Sequence, residues 1–331
     1  MNRIGWGMSI LAAALALVSQ VEPASAARRT YVAPSPRGDD RNLCTRQDPC
    51  ESLAHALTQT DHDGELIVLE PGGYGPVTID KSVTIDGGGY HGEILSTQSW
   101  AIKIEAGIND KITLRNLFLD GGVASQSGGS GIVLTRAGSL RIENCTITNF
   151  GVWGIQFTPA ADNPLATLFI DNTVVAGNGK SSGGGGINIA PQQFPQVRAV
   201  LNRVRAENNH AGITVDGNNG TQIFNTTVFI NVTVQASAAN GNATNGFTFT
   251  TAANRAPIAA VLDGVTAASN LGAGVEAHGP LGVLVGNSTI ILNKGGGLSS
   301  TGGGAFGSYK NNQIDANSPT NGTPVPQAFL N

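Results

Sequence analysis

Ile142-Glu-Asn144-Cys-Thr-Ile147 and, 28 residues later, Ile170-Asp-Asn172-Thr-Val-Val175 decide how this chain is built. Each is a short apolar/polar alternation interrupted by an asparagine. The same mark recurs in Leu-Arg-Asn116-Leu, Leu-Asn-Arg203-Val, Ile-Asn231-Val, Leu-Asp-Gly264-Val, Val-Gly-Asn287-Ser and Lys-Asn311-Asn, with successive spacings of 28, 28, 31, 28, 33, 23 and 24 residues. An apolar residue usually follows three positions on (Ile147, Val175, Val234, Ile290, Ile314), and a polar turn residue often follows six on (Asn178, Asn208, Asn293, Asn317). A second mark, glycine plus an apolar residue, falls between successive asparagine slots at Gly131, Gly154, Gly186, Gly212, Gly246, Gly274 and Gly297. Every unit therefore reads as turn, strand, turn, strand, with period-2 alternation in the strands. No unit contains the helical pattern of roughly 10–15 residues that a strand–helix–strand repeat needs.

Units of this size, made of short strands and glycine-rich turns, suit a chain that coils and stacks on itself. Each turn of chain is one rung, and strands of successive rungs pair in parallel about 4.8 Å apart. Asparagine at a fixed inward bend bonds the asparagine above and below, as amide ladders do. Asn116, Asn144, Asn172, Asn231, Asn287 and Asn311 are the ladder members expected from the spacing. Glycine serves where the bend needs a positive φ. The uneven spacing places insertions at residues 159–164 and 237–245, on loops outside the coil.

With these marks the chain resembles the right-handed parallel β-helix superfamily, the fold of pectate lyases and many surface proteins. The resemblance spans about residues 65–317 and implies an all-β, right-handed parallel β-helix solenoid of about eight to ten rungs, roughly 40–50 Å long. Gly-Glu-Leu-Ile-Val-Leu-Glu-Pro-Gly-Gly-Tyr74 and Lys81-Ser-Val-Thr-Ile-Asp-Gly resemble the first rungs of such proteins. The preceding Pro49-Cys-Glu-Ser-Leu-Ala-His-Ala-Leu-Thr58 places Leu53, Ala56 and Leu57 on one helical face. An N-terminal capping helix there would cover the open end of the core, where bare terminal strands invite edge pairing. Exported bacterial β-helix repeat proteins of undefined activity share the Cys-Thr-x-x-x-Pro-Cys start followed by such a helix, and are the nearest resemblance.

Composition agrees with this architecture. Among 331 residues, 45 are glycine, 40% are apolar and only 13% are charged, with a formal charge of −4. The apolar share builds a core, so general disorder is excluded. The charge balance excludes a nucleic-acid partner, which calls for a basic face.

Residues 1–26 read as a secretory signal peptide. Arg3 supplies the positive start, residues 10–18 the apolar stretch, and Ala24-Ser25-Ala26 the small-x-small cleavage pattern. The apolar run is too short for a membrane span, and the mature chain from Ala27 contains no transmembrane segment. The expected organisation is a signal peptide at 1–26, an N-terminal segment with the cysteine loop and capping helix at 27–64, the β-helix at 65–318, and a tail at 319–331. Export, to the periplasm or outside the cell, makes Cys44 and Cys50 an expected local disulfide. Cys145, in an apolar run, reads as a buried free thiol.

Candidate functional residues come from the Gly-apolar strands. Two positions after each glycine the outward column reads Val133, Gln156, Asn188, Thr214, Thr248, Glu276, Ser299; four positions after, it reads Thr135, Thr158, Ala190, Asp216, Thr250, His278, Thr301. This face is small, polar and nearly uncharged. Asp216, Glu276 and His278 are the candidate catalytic residues, two carboxylates for acid and base work with an assisting imidazole. Spacing along the rungs puts Asp216 about 12 Å from Glu276, beyond the roughly 5–9.5 Å that glycosidases use. Trp153, Gln156 and Asn188 are the candidate ligand-binding residues, because sugars stack on exposed indole rings and bond to amides. Pectate lyases hold calcium with clustered acids, and polygalacturonase-like hydrolases carry Asn-Thr-Asp, Asp-Asp and His-Gly motifs on successive rungs. Here His278-Gly279 is present, Asn-Thr-Asp is absent and the only Asp-Asp, Asp39-Asp40, lies before the helix, so neither catalytic set transfers. Asp61-His-Asp63-Gly-Glu65 resembles the opening of a calcium loop, but Gly72 stands where its twelfth-position acid belongs. No metal site or cofactor is expected, and calcium enters only under the lyase reading.

The function expected from sequence is therefore a non-catalytic binding or structural protein at the cell envelope or outside the cell, with a polysaccharide or an envelope component as partner. The alternative is a polysaccharide lyase or glycoside hydrolase working through Asp216, Glu276 and His278. Oligomeric state is left open.

Overall fold

The computed structural model describes residues 27–90, 92–95, 99–122, 129–180, 183–193, 196–220 and 229–326. The expected signal peptide at 1–26 lies outside the described residues. Among the described residues, short strands form three sheets of 12, 9 and 9 strands, and every pairing between strands is parallel with the partner one rung away. We name them A, B and C in the order the chain visits them within a rung. One rung runs Ser139–Glu143 in sheet A, Thr146–Thr148 in sheet B and Trp153–Phe157 in sheet C; the next runs Leu165–Asp171, Val174–Ala176 and Gly185–Ile189. The described residues are thus an all-β parallel helix, as the repeat predicts.

The core is the inside of the coil. The residues expected to point inward on sheet C, including Ile132, Ile155, Phe157, Ile187, Ile213, Phe247 and Phe249, are fully buried or nearly so. Each fully buried side chain of this kind contributes about 1.5–3 kcal/mol. Cys145 joins this core as a free, buried thiol, and burial pushes it up to about 12, which leaves it protonated and unreactive.

The bend from sheet A to sheet B fixes the register. Asn116, Asn144, Asn172 and Asn287 occupy it with φ of 55°, 52°, 44° and 50°. Asparagine tolerates this left-handed region better than most L-residues. Asn144 Nδ2 donates to Asn116 Oδ1 (3.4 Å), Asn172 Nδ2 to Asn144 Oδ1 (2.8 Å) and Asn311 Nδ2 to Asn287 Oδ1 (2.8 Å). Asn231 does not belong to this ladder. It lies inside the strand Ile230–Gln235, exposed and paired with Arg198 and Ala259. Ala236, with φ of 46°, holds the bend in that rung. Residues 237–245 run through the strand Ala238–Asn240 toward Phe247–Thr250 as an ordinary stretch of rung and not an insertion. Ala236 and Arg203 show that the stack imposes the left-handed turn whatever residue occupies it.

This bend faces outward, whereas the sequence pattern suggested an inward one. The buried asparagine ladder lies six residues further on, at the bend from sheet B to sheet C. It comprises Asn178, Asn209, Asn242, Asn270, Asn293 and Asn317, the first five at most 2% exposed. The polar mark at Asn208 is one residue short of its true member, Asn209. Each amide solves the same problem, the backbone groups that a bend takes away from the sheets. Its Oδ1 accepts the N–H of the preceding rung's residue, from Phe150 N→Asn178 (3.0 Å) to Asn293 N→Asn317 (3.0 Å). Its Nδ2 donates to a carbonyl of the preceding rung's sheet B strand, as from Asn242 to Ala206 O (3.1 Å) and from Asn270 to Ala239 O (2.9 Å).

The ends differ. The helix Leu53–Gln59 is capped by Ser52, whose Oγ accepts the His55 N–H (3.1 Å), and buries Leu53, Ala56 and Leu57 as expected. It packs on the strands Ala27–Val32, Thr60–Val68 and Val77–Ile79. The first of these adds an outermost strand to sheet A, unforeseen because its run lies ahead of the repeat. Arg115 bridges Glu65 (2.6 Å) and Asp86 (2.8 Å) across the first rungs. Burial alone would raise the Asp86 carboxyl, but hydrogen bonds from Asn116, the Gly88 N–H and Arg115 outweigh it and hold it below the usual carboxylate range. At the other end the tail is not wholly outside the coil. Asn317 bonds onward to Asn321, and Val325–Pro326 pairs with Gly307 and Ser308 as the edge strand of sheet A. An edge is where a strand tolerates proline.

Candidate functional site

Sheet C builds a flat outer face, because successive strands stay in register. Thr78, Lys103, Val133, Gln156, Asn188, Thr214, Thr248, Glu276 and Ser299 stand in one column. Its pattern from Val133 onward is the one the glycine marks predict. Lys103 and Thr78 extend it toward the capping helix, and were missed because their rungs lack the Gly-apolar mark. A second column carries Asp216, Thr250, His278 and Thr301. Ala190, assigned to it from spacing, is buried beyond the end of its strand.

The three candidate ligand residues come together. Gln156 and Asn188 are register neighbours, and Trp153 opens the same strand as Gln156 opposite Gly185. A Cβ on Gly185 would lie 2.7 Å from the Trp153 ring, so this glycine makes room for the indole. Ser130 Oγ receives the Trp153 N–H (3.3 Å) and donates to Gln156 Oε1 (3.3 Å), which fixes the amide beside the ring. Hydroxyls and amides repeat from here along the column at about 4.8 Å.

The three candidate catalytic residues do not come together. Asp216 is separated from His278 by the whole rung of Thr250. Its Oδ1 accepts the Asn218 N–H (2.8 Å), a local turn contact. Glu276 accepts from Asn245 Nδ2, and His278 Nδ1 faces Thr301 Oγ1 (2.8 Å). The adjoining Gly279 has a structural reason: its φ is 93°, and a Cβ there would lie 1.5 Å from Thr251 O.

Cys44 and Cys50 form the expected disulfide. His55 completes the one gathering of three or more His, Cys, Asp or Glu ligand atoms among the described residues, all within 4.8 Å. Both sulfurs are committed to each other, so this trio does not fit a metal. Asp61 and Asp63 make no such gathering. Asp63 instead faces His62 Nδ1 (3.0 Å), while Asp110 takes Nε2 (2.7 Å).

Residues 130–323 match the family described as a right-handed beta helix region. The chain belongs to this right-handed β-helix family. No curated protein matches it. Among solved structures, pectate lyase Pel9A is similar to this β-helix with a TM-score of 0.55 at 16% identity, over 90% of this chain and 81% of that one. The Dettilon tailspike protein is similar with a TM-score of 0.42 at 13% identity, over 88% of this chain and 62% of that one. At 16% identity the likeness to the lyase is one of fold, and one fold hosts many activities. No helix among the described residues is long and apolar enough to cross a membrane.

Proposed function

We propose that this β-helix is an exported, non-catalytic protein that binds a polysaccharide along the outer face of sheet C. The observation that carries this reading is the unbroken polar column from Gln156 through Asn188 and Thr214 to Thr248, with Trp153 at its flank. Amides and hydroxyls at a constant spacing suit a polymer of hydroxylated units, and an indole beside them supplies a stacking surface. The separation of Asp216 from Glu276 and His278 supports binding over bond cleavage. The leader-like residues 1–26 and the Cys44–Cys50 disulfide support export to the periplasm or beyond.

The test is affinity electrophoresis of the chain from Ala27 onward in gels cast with neutral or acidic polysaccharides. The same polymers are incubated with the protein, with and without calcium. New reducing ends and the ultraviolet absorbance of unsaturated products report cleavage. Retention without cleavage, lost in Asn188→Arg, is the expected result. Cleavage abolished by Asp216→Ala/Glu276→Ala would overturn the reading in favour of a polysaccharide lyase or glycoside hydrolase.

A further inference from the structure

The outer column of sheet C does not run freely off both ends of the coil. At its start, beyond Lys103 and Thr78, the capping helix lies alongside the terminal strand Val77–Ile79. Between them is a cleft of about 310 Å³, with Ala54, Leu57 and Thr58 on the helix side. Thr78, Asp80, Lys81 and Trp100 line the coil side. That volume is at the low end of small-molecule sites, which run from about 300 to 1,000 Å³. It leaves room for a sugar ring.

The lining has the two halves that a pyranose needs. Trp100 offers an aromatic surface, and Leu57 and Val77 extend the apolar part. The Lys103 ammonium stands over the Trp100 ring, 5.4 Å from its centroid, and pairs with Glu105 (2.7 Å), so a ligand would use the ring's other face. On the polar side Asp80 is exposed and has no hydrogen-bond or ion-pair partner among the described residues. A carboxylate accepts two hydrogen bonds at once, the geometry of a pair of vicinal hydroxyls. Thr78 adds an exposed hydroxyl. Lys81 donates to Thr60 O (2.7 Å) and keeps its positive charge, which balances that of Asp80 across the lining. A lining with no net charge offers a uronate no ionic preference and suits a neutral sugar.

We infer that this cleft is a chain-end site: it seats the terminal neutral sugar of a polymer lying on sheet C, with the ring on Trp100 and its hydroxyls on Asp80. The inference rests on the binding reading above and adds to it an end stop, a preferred unit and a polarity of attachment. The helix blocks extension past Thr78, so one chain end is bound per protein.

The experiment follows the two indole N–H signals of the ¹⁵N-labelled chain from Ala27 onward, those of Trp100 and Trp153. It is titrated with cellotetraose, xylotetraose, mannotetraose and, as the acidic comparison, tetragalacturonate. A neutral tetraose is expected to shift the Trp100 signal. Trp100→Ala and Asp80→Asn should each weaken binding by about tenfold or more. Thr58→Arg, on the exposed helix face, should do the same without touching the core. Full-length polymer should saturate per chain end and not per unit of mass. Undiminished binding in Trp100→Ala and Thr58→Arg, with loss in Asn188→Arg, overturns the chain-end site and leaves the sheet C reading standing. Tighter binding of tetragalacturonate at Trp100 overturns the neutral preference. No shift at either indole, together with no retention on any polymer, overturns both.

Discussion

Asn242→Ala is the most direct test of what holds the coil together. The Asn242 side chain accepts from the Asn209 N–H (3.0 Å) and donates to Ala206 O (3.1 Å) and Asn270 Oδ1 (2.9 Å), all in the dry interior. Alanine leaves the Asn209 N–H with no acceptor, at about 1–3 kcal/mol, and removes two further bonds at about 0.5–1.5 kcal/mol each. The expected loss is about 2–6 kcal/mol, a large part of the roughly 5–15 kcal/mol that holds a typical domain. Asn242→Asp should be worse at neutral pH although it keeps the shape. A carboxylate would face two acceptors, and burial would raise its pKa, so this variant should regain stability as the pH falls and lose it as the pH rises. Urea unfolding followed by circular dichroism measures the loss, and hydrogen exchange at the Asn209 amide locates it. Asn144→Gly, on the exposed outer ladder, is the control and should cost about 1 kcal/mol or less. An Asn242→Ala protein within about 0.5 kcal/mol of the parent, with the Asn209 amide still protected, would refute the reasoning.

Three other outcomes follow from the same structure. Asp63 first, and then Asp110, hold His62 above the usual histidine range. Its stabilising contribution is therefore complete below about pH 6.5 and is lost as the pH rises through the higher folded value. Melting curves of His62→Gln and the parent should accordingly differ at about pH 5 and converge by about pH 9. Cys44→Ser/Cys50→Ser opens a loop with a sequence separation of 6 and should cost about 2 kcal/mol by chain entropy, read as a lower urea midpoint. Gly279→Ala drives a Cβ into Thr251 O at a left-handed φ and should cost about 3 kcal/mol or more. Soluble yield and melting temperature report it, whatever the polymer-binding behaviour.

The rung was legible in the sequence because its inner positions alternate with period 2, as in Ile155-Gln156-Phe157, and because Gly154 and its equivalents mark the start of each sheet C strand. The same regularity made the columns and the Trp153–Gln156–Asn188 group readable. Asn231 misled for a physical reason. It sits between Ile230 and Val232 and so imitates the apolar neighbours of a bend, while the true bend residue, Ala236, carries no chemical mark at all. The inner ladder is half visible in the sequence, where Asn178, Asn293 and Asn317 read as polar turn residues; spacing along a chain does not tell which bends point inward. The Trp100 cleft was invisible because it joins Thr58, Thr78 and Trp100 from three separate elements. No motif spans residues brought together only by the cap.

The corner between sheets A and B never changes length over six successive rungs. Glu143 to Thr146, Asp171 to Val174, Asn202 to Arg205, Gln235 to Ala238, Asp263 to Thr266 and Gly286 to Thr289 each leave the same two residues for the turn. The corner after sheet C varies, from two residues between Arg136 and Ser139 to the long passage between Asp216 and Ile230. A solenoid with three variable corners would accumulate positional error from rung to rung. Here the constant corner resets the phase once per turn, so a length change elsewhere is forgotten before the next strand begins. Length changes confined to the corner after sheet C should therefore leave the rungs on either side in their places.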